Sequence, residues 1–125
     1  MRTNKQTKKG SQMKNLQAKS VEKKLTAFFN KVEEWINAPI SIPGEEDYIT
    51  PDQYKTELMY SFNVEDSSNI MLGTDGLLLD LVESGSSDGL NLGEFADEFY
   101  SLLDDTNWTI EHENYGLLHL YKEVA

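Results

Sequence analysis

The feature that most constrains the fold is an amphipathic stripe between residues 21 and 36. Apolar side chains recur there at spacings of three and four, the period of one face of an α-helix. Ser20 is the candidate N-cap, and Asn37-Ala38-Pro39 is a stop signal. We interpret the stripe as core or as a dimer contact rather than as a ligand-binding box. Its members are Val21, Leu25, Phe28, Phe29, Val32, Trp35 and Ile36.

The last third of the chain carries two further patterns. A second helical stripe predicts a helix over residues 92–105, and a β-hairpin is expected after it. Taking Asn114-Tyr115-Gly116 as a three-residue loop, with Gly116 in the left-handed position, sets the register of the hairpin. That register pairs Glu113 with Leu117, Glu111 with His119 and Ile110 with Leu120, and it places Trp108, Ile110, Leu118 and Leu120 on one face.

The middle of the chain supports two interpretations at two places. Thr50-Pro51-Asp52-Gln53 has the form of a capped helix start, but alternate residues from Tyr54 to Val64 are typical of a strand. The capping signature favours a helix over 51–61. Asp75-Gly76 could be a hairpin turn, but leucines spaced as on one helix face favour a helix over 75–84.

Together these patterns predict an α+β fold: a small single domain, mostly helical with about four helices, ending in a C-terminal β-hairpin. A chain of 125 residues is long enough for one core. Residues 1–15 are polar and are expected to form a disordered basic arm, which leaves 16–125 as one acidic domain. No apolar run reaches a membrane span, no signal peptide is recognisable and cysteine is absent, so a cytoplasmic protein is expected.

Charge divides the chain sharply. Residues 1–31 hold nine basic residues and one acidic residue, a net charge of +8, whereas residues 32–125 hold two basic and 21 acidic residues, a net charge of −19. A body this acidic repels nucleic acid and attracts cationic surfaces. We therefore expect no direct nucleic-acid binding by the acidic body, no membrane partner, and a partner with a basic protein surface.

Motifs for metal binding and catalysis are weak. The segment 84–95 resembles an EF-hand loop, but when Gly89 is placed at the turn position, Glu94 arrives one residue early and Phe95 takes the place of the closing ligand. His112 and His119 point to opposite faces of the predicted hairpin, where a cross-strand ion pair with Glu111 is the expected role of His119. We predict no metal, no cofactor and no catalytic residues.

The strongest candidate site is the polar face of the predicted 92–105 helix. At about 100° per residue, five carboxylates fall within an arc of roughly 120° opposite the apolar stripe. Their spacing of about 5 to 6 Å along the axis is comparable with phosphate spacing along a nucleic-acid strand. Holding like charges together costs self-repulsion, which points to a cationic partner; an ordinary solvated helix face remains the alternative. The residues are Glu94, Asp97, Glu98, Asp104 and Asp105.

These properties predict a small acidic non-catalytic binding protein, an inhibitor or adaptor that docks an acidic helix face on a basic surface. Small acidic binders of this kind include anti-defence proteins of phages and plasmids, nucleic-acid mimics and toxin-immunity proteins; the basic surface could then be that of a nucleic-acid-binding protein. The alternative is an oligomeric structural or assembly protein that uses the aromatic first helix and the basic arm.

Overall fold

A computed structural model of the chain describes residues 14–38, 56–87 and 89–122. The described elements follow one another as helix α1 (Ala18–Ile36), strands β1 (Met59–Asp66) and β2 (Asn69–Asp75), helix α2 (Gly76–Glu83), short strands β3 (Ser86–Ser87) and β4 (Leu90–Asn91), helix α3 (Gly93–Ser101), and strands β5 (Trp108–Asn114) and β6 (Leu117–Lys122). Four strands form an antiparallel sheet in the order β1-β2-β6-β5, and β3 pairs with β4 alone.

The prediction of a mostly helical domain was wrong. The described residues contain three helices and six strands, with about equal helix and strand content, so a sheet rather than a helical bundle organises the core. The C-terminal hairpin is present as β5 and β6, but it is one half of a larger sheet. The other half is the hairpin of β1 and β2, which the helix predicted over 51–61 had concealed.

The predicted helix at 51–61 fails where the structure describes it, because β1 begins at Met59; the capping signature at 50–53 lies outside the described residues. Tyr60, Phe62 and Val64 alternate as a strand does, and they share one face with the buried residues of β2. The turn to β2 is stabilised by Asp66, whose Oδ1 accepts the Ser68 N–H at 2.8 Å.

The second ambiguous segment divides between a strand and a helix. Residues 69–75 form β2, and α2 then occupies 76–83, close to the predicted 75–84. Asp75 is the N-cap, and its side chain accepts the Gly76 N–H at 2.8 Å. Asp75-Gly76 therefore ends a strand and starts a helix rather than turning a hairpin.

The register predicted for the C-terminal hairpin is confirmed away from the turn, but the predicted pair of Glu113 with Leu117 is wrong. Ile110 pairs with Leu120 and Glu111 with His119, and the shift near the turn, where Asn114 rather than Glu113 pairs with Leu117, marks a bulge. Gly116 has a φ of +70°, the left-handed conformation expected of it. The turn chemistry therefore predicted the register correctly for residues 110–112, and the bulge next to the turn was not predicted.

Helices α1 and α3 pack together on the inner face of the sheet. Phe29 of α1 connects these three elements, because its ring lies 4.5 Å from that of Tyr60 on β1 and 6.1 Å from that of Phe99 on α3. The predicted stripe of α1 is mostly core, although Trp35 is 51% exposed. The buried positions of the stripe are Val21, Leu25, Phe28, Phe29 and Val32.

Most of the predicted basic arm lies outside the described residues, but its last two residues are described. Lys14 forms a parallel bridge with Thr106, and the Asn15 side chain accepts a hydrogen bond from Asn107 Nδ2 at 2.7 Å. The chain entering α1 is thereby fixed beside the start of β5. Among the helices described, none has both the length and the apolar character that a membrane crossing requires.

Candidate functional site on helix α3

The five predicted acidic residues are divided between helix α3 and the turn that follows it. Glu94, Asp97 and Glu98 lie on the exposed face of the helix, opposite the buried Phe99. The helix ends at Ser101, four residues earlier than predicted, so Asp104 and Asp105 belong to the turn. The carboxylates therefore form a surface of two segments rather than one helical arc. We call these five residues the acidic face.

Lys31 of α1 is already bound at the acidic face. Its Nζ makes an ion pair with Glu98 Oε2, and the same ammonium lies 5.5 Å from the centroid of the Phe28 ring. Both side chains keep about half of their surface in contact with solvent, at 53% for Lys31 and 42% for Glu98. The pair therefore adds little stability, and it places the Lys31 ammonium between the Glu98 carboxylate and the Phe28 ring.

A second lysine approaches the acidic face at its other end. Lys14 Nζ lies 3.3 Å from Asp105 Oδ2, and the Lys14 backbone N–H donates to the Asp105 carbonyl at 2.8 Å. The Asn107 N–H donates in turn to the Lys14 carbonyl at 2.9 Å. These backbone hydrogen bonds hold Lys14 beside the turn, and so they position its side chain for the ion pair with Asp105.

Glu94 and Asp97 lie on α3 between the start of the helix and Glu98, before both lysine contacts. Both are exposed, and neither makes an ion pair with another described residue. Glu94 lies in the first turn, where the helix dipole stabilises a carboxylate. Glu94 and Glu98 are four residues apart and repel each other, and the Lys31 ammonium relieves part of that repulsion.

The segment that resembled a calcium loop forms the entry to α3. β3 pairs with β4, Gly89 before β4 has a φ of +82°, and Ser87 Oγ donates to Asp80 Oδ2 at 2.7 Å. Asp88 lies outside the described residues. Across 14–38, 56–87 and 89–122 no three His, Asp or Glu side chains are grouped to hold a metal ion.

The two histidines lie on opposite faces of the sheet, as predicted. His119 faces Glu111 in the register, but its Nε2 lies 2.9 Å from Asn69 Oδ1, and Glu111 accepts the Tyr121 hydroxyl instead. The predicted His119–Glu111 ion pair is therefore replaced by a contact with β2. A ring contact at 5.1 Å between His119 and Tyr121 accompanies this arrangement.

His112 takes part in a contact that the sequence did not predict. Its Nε2 lies 2.6 Å from Glu83 Oε2 at the end of α2, and the same oxygen accepts the Gly116 N–H at 2.5 Å. The Gly116 hydrogen bond and the nearby His112 hold the pKa of Glu83 below its usual range. Burial, with the Glu83 charge, raises the pKa of Tyr100, whose hydroxyl donates to the Val82 carbonyl. This cluster connects α2 to the hairpin turn and has a structural role.

Sequence reasoning found the acids but not the lysines that meet them. The sequence shows a basic segment, residues 1–31, followed by an acidic remainder, and this separation of charge is the signal that could have suggested contacts between the two. Assigning Lys31 to Glu98 required knowing that α1 and α3 pack side by side through Phe28, Phe95 and Phe99. The chain matches no protein-family model, no curated protein and no solved structure. Only its own charges and contacts therefore bear on its function.

Proposed function

We propose that this protein is a small non-catalytic inhibitor or adaptor that docks its acidic face on a basic surface of a partner protein. The observation that carries the proposal is the pair of lysines already seated on that face. Lys31 on Glu98 and Lys14 on Asp105 are intramolecular examples of the contact that a partner would make. Glu94 and Asp97 extend the same surface and are exposed to solvent.

The mechanism is competitive occlusion of the basic surface. Carboxylates on successive turns of α3 stand at about the spacing of Cβ atoms three and four residues apart, roughly 5–6 Å. A surface that binds phosphates along a nucleic-acid strand presents cations that could meet such a row. A nucleic-acid-binding protein is therefore the class of partner that we favour, with the acidic residues in the place of phosphates.

Electrostatics would control the rate more than the final affinity. The net charge of −19 over residues 32–125 attracts a cationic partner from a distance, which raises the association rate and makes it fall with added salt. Exposed ion pairs each contribute about 1 kcal/mol or less, so tight binding requires several pairs together. The face provides several carboxylates on two adjacent segments.

The proposal can be tested with two double variants of equal charge. A tagged protein would first capture partners from its native host at low salt, and the captured protein would be purified and its affinity measured. Glu94→Gln with Asp97→Asn changes the acidic face, whereas Glu34→Gln with Glu113→Gln makes the same change of +2 at exposed positions on α1 and β5.

We expect the first variant to bind at least tenfold more weakly, with a smaller dependence on salt, and the second to bind within about twofold of the unmodified protein. Added nucleic acid should compete with the protein for the partner. Equal losses in both variants would mean that only net charge matters, and an unchanged affinity in the first would overturn the proposal.

A further inference from the structure

The outer edge of β1 is an open strand edge among the residues that the structure describes. β1 pairs with β2 on one side, and no described strand lies on its other side. An open edge presents rows of backbone N–H and C=O groups that can pair with an added strand.

The register identifies the outward groups. Thr74 N–H donates to the Gly116 carbonyl and Lys122 N–H to the Ser68 carbonyl, so the even-numbered residues of β2 direct their backbone groups toward β6. The backbone groups of the odd-numbered residues of β2 then point toward β1, where they hydrogen-bond with the odd-numbered residues of that strand. The outward groups of β1 therefore belong to Tyr60, Phe62 and Val64.

The chain itself covers the edge just before β1, with side chains in place of a strand. Asn37 at the end of α1 donates through Nδ2 to the Thr56 carbonyl and accepts the Thr56 N–H, both at 2.8 Å. Glu33 Oε2 accepts the Leu58 N–H at 2.7 Å. Thr56 and Leu58 continue the even-numbered series of outward residues. Both backbone groups of Thr56 and the Leu58 N–H therefore have partners, and the open part of the edge begins at Tyr60.

The side chains along the open edge are suited to pairing. Residues 59–64 carry no charge and no proline, the two devices that usually protect an edge. Tyr60 and Phe62 are half-buried, and Val64 is 45% exposed on the same face. An added strand with apolar residues at alternate positions would extend this row and cover it.

Acidic residues at both ends of the open edge specify the charge of the partner. Glu57 is exposed before β1 and Glu65 near its end, and both lie in the odd-numbered series. A second copy centred on Phe62 would place Glu65 diagonal to the other copy's Glu57, and like charges across strands destabilise pairing. A strand with lysine or arginine at its ends would instead meet an acid at each end.

We propose that the β1 edge binds an extended cationic segment of a partner protein by antiparallel strand addition at Tyr60, Phe62 and Val64. This mode takes its affinity from backbone hydrogen bonds and its specificity from alternate side chains. The charge of the segment follows from Glu57 and Glu65 at the ends of β1, which are separate from the acidic face on α3.

The probe is a capped peptide, Lys-Val-Thr-Val-Thr-Val-Lys, whose valines face the three outward residues and whose first lysine faces Glu65. The matched control peptide has glutamate in place of both lysines. Val64→Pro removes one outward N–H while leaving the ladder to β2 intact, as proline tolerates an edge position. Val64→Thr keeps that N–H and serves as the matched variant.

We expect the lysine peptide to bind the unmodified protein and Val64→Thr within about threefold of each other, and Val64→Pro at least tenfold more weakly. The glutamate peptide should bind at least tenfold more weakly than the lysine peptide. Binding should slow exchange of the Tyr60, Phe62 and Val64 amide protons, which keeps the test valid if Val64→Pro fails to fold. Glu94→Gln with Asp97→Asn should leave peptide binding within about twofold, which separates this test from that of the acidic face.

Three results would overturn the proposal. The first is that the lysine peptide does not bind, and the second is that it binds Val64→Pro as well as the unmodified protein. The third is that light scattering finds a dimer of the unmodified protein that Val64→Pro disperses, because the occupant of the edge would then be a second copy.

Discussion

The two edge strands of the sheet, β1 and β5, are treated differently by the rest of the chain. Residues 14–16 run beside the start of β5, where Lys14 bridges Thr106 and the Leu16 carbonyl accepts the Trp108 indole N–H at 2.9 Å. Among the described residues, β1 has the side chains of Glu33 and Asn37 beside the residues that precede it. The edge at β5 is thus closed by backbone where the strand begins, whereas the edge at β1 is left open over Tyr60–Val64.

One row across the sheet makes the same contrast. Val64, Ile70, Leu120 and Ile110 lie side by side on the inner face, and the two central residues are fully buried. At the ends of the row, Ile110 on β5 is 5% exposed whereas Val64 on β1 is 45% exposed. Equivalent positions at two edges therefore have different burial, which implies that β5 is part of the core and that β1 is available for contact.

The largest expected effect is at the closed edge. Trp108→Ala should lower the free energy of unfolding by about 3–5 kcal/mol, because it empties a fully buried site and releases the Leu16 carbonyl. Urea unfolding followed by circular dichroism measures the loss. The matched control is Trp35→Ala, which removes the other tryptophan at a half-exposed site and should cost about 1 kcal/mol. Similar losses in both would contradict the view that residues 14–16 close the sheet.

The next effect concerns the turn that follows β5. A Cβ on Gly116 would lie 2.3 Å from Leu79 Cδ1 in a backbone with a φ of +70°, so Gly116→Ala combines left-handed strain with a clash. We expect a loss of about 2–4 kcal/mol in urea unfolding. Gly89→Ala has the same kind of backbone but no atom within 4 Å, and should cost about 1 kcal/mol. Equal costs would show that Leu79 moves aside freely.

The sequence predicts those elements whose signal lies in neighbouring residues. The register of β5 and β6 was set by turn chemistry at Gly116 together with alternation, and α1 by its apolar period; both are properties of neighbouring residues. The capping signature at 50–53 predicts a helix that runs into the residues of β1, whereas the alternation of Tyr60, Phe62 and Val64 is the local signal of the strand that is present. Its turn, residues 66–69, had its own signal in Asp66 and Asn69, whose side chains hydrogen-bond there at 2.9 Å.

The candidate site was predictable in part for the same reason. Exposed acids on one side of a helix can be identified from the period alone, and Glu94, Asp97 and Glu98 are exposed on α3. The end of the helix at Ser101 and the contacts of Lys31 and Lys14 depend on tertiary packing, which no local pattern encodes. The open edge of β1 likewise follows only from the strand order.

A smaller effect should come from the contact that ties β5 to α2. Glu83→Gln weakens the hydrogen bond to Gly116 N–H and the pairing with His112, and should cost about 1–2 kcal/mol at pH 7. Because the pKa of Glu83 is lowered in the folded protein, its stabilisation is complete above the unfolded pKa and is lost as the pH falls through the folded pKa. The difference from the unmodified protein should therefore shrink as the pH falls below the usual pKa of a glutamate.

Glu113→Gln is the control for this experiment, since Glu113 is an exposed acid next to His112 on β5. It should change the free energy of unfolding by less than about 0.5 kcal/mol. A Glu83→Gln difference that stays constant from neutral to acidic pH would mean that ionisation of Glu83 has no part in holding the turn.

The smallest effect is expected at the open edge itself. Val64→Thr keeps the shape and strand preference of the side chain at a 45% exposed site, so it should change the free energy of unfolding by less than about 0.5 kcal/mol. Ile110→Thr at the other end of the row places a hydroxyl in the core and should cost about 2 kcal/mol. Urea unfolding of both variants measures the contrast. A comparable loss at Val64 would mean that β1 is packed as firmly as β5, and a partner strand would then have no exposed row to cover.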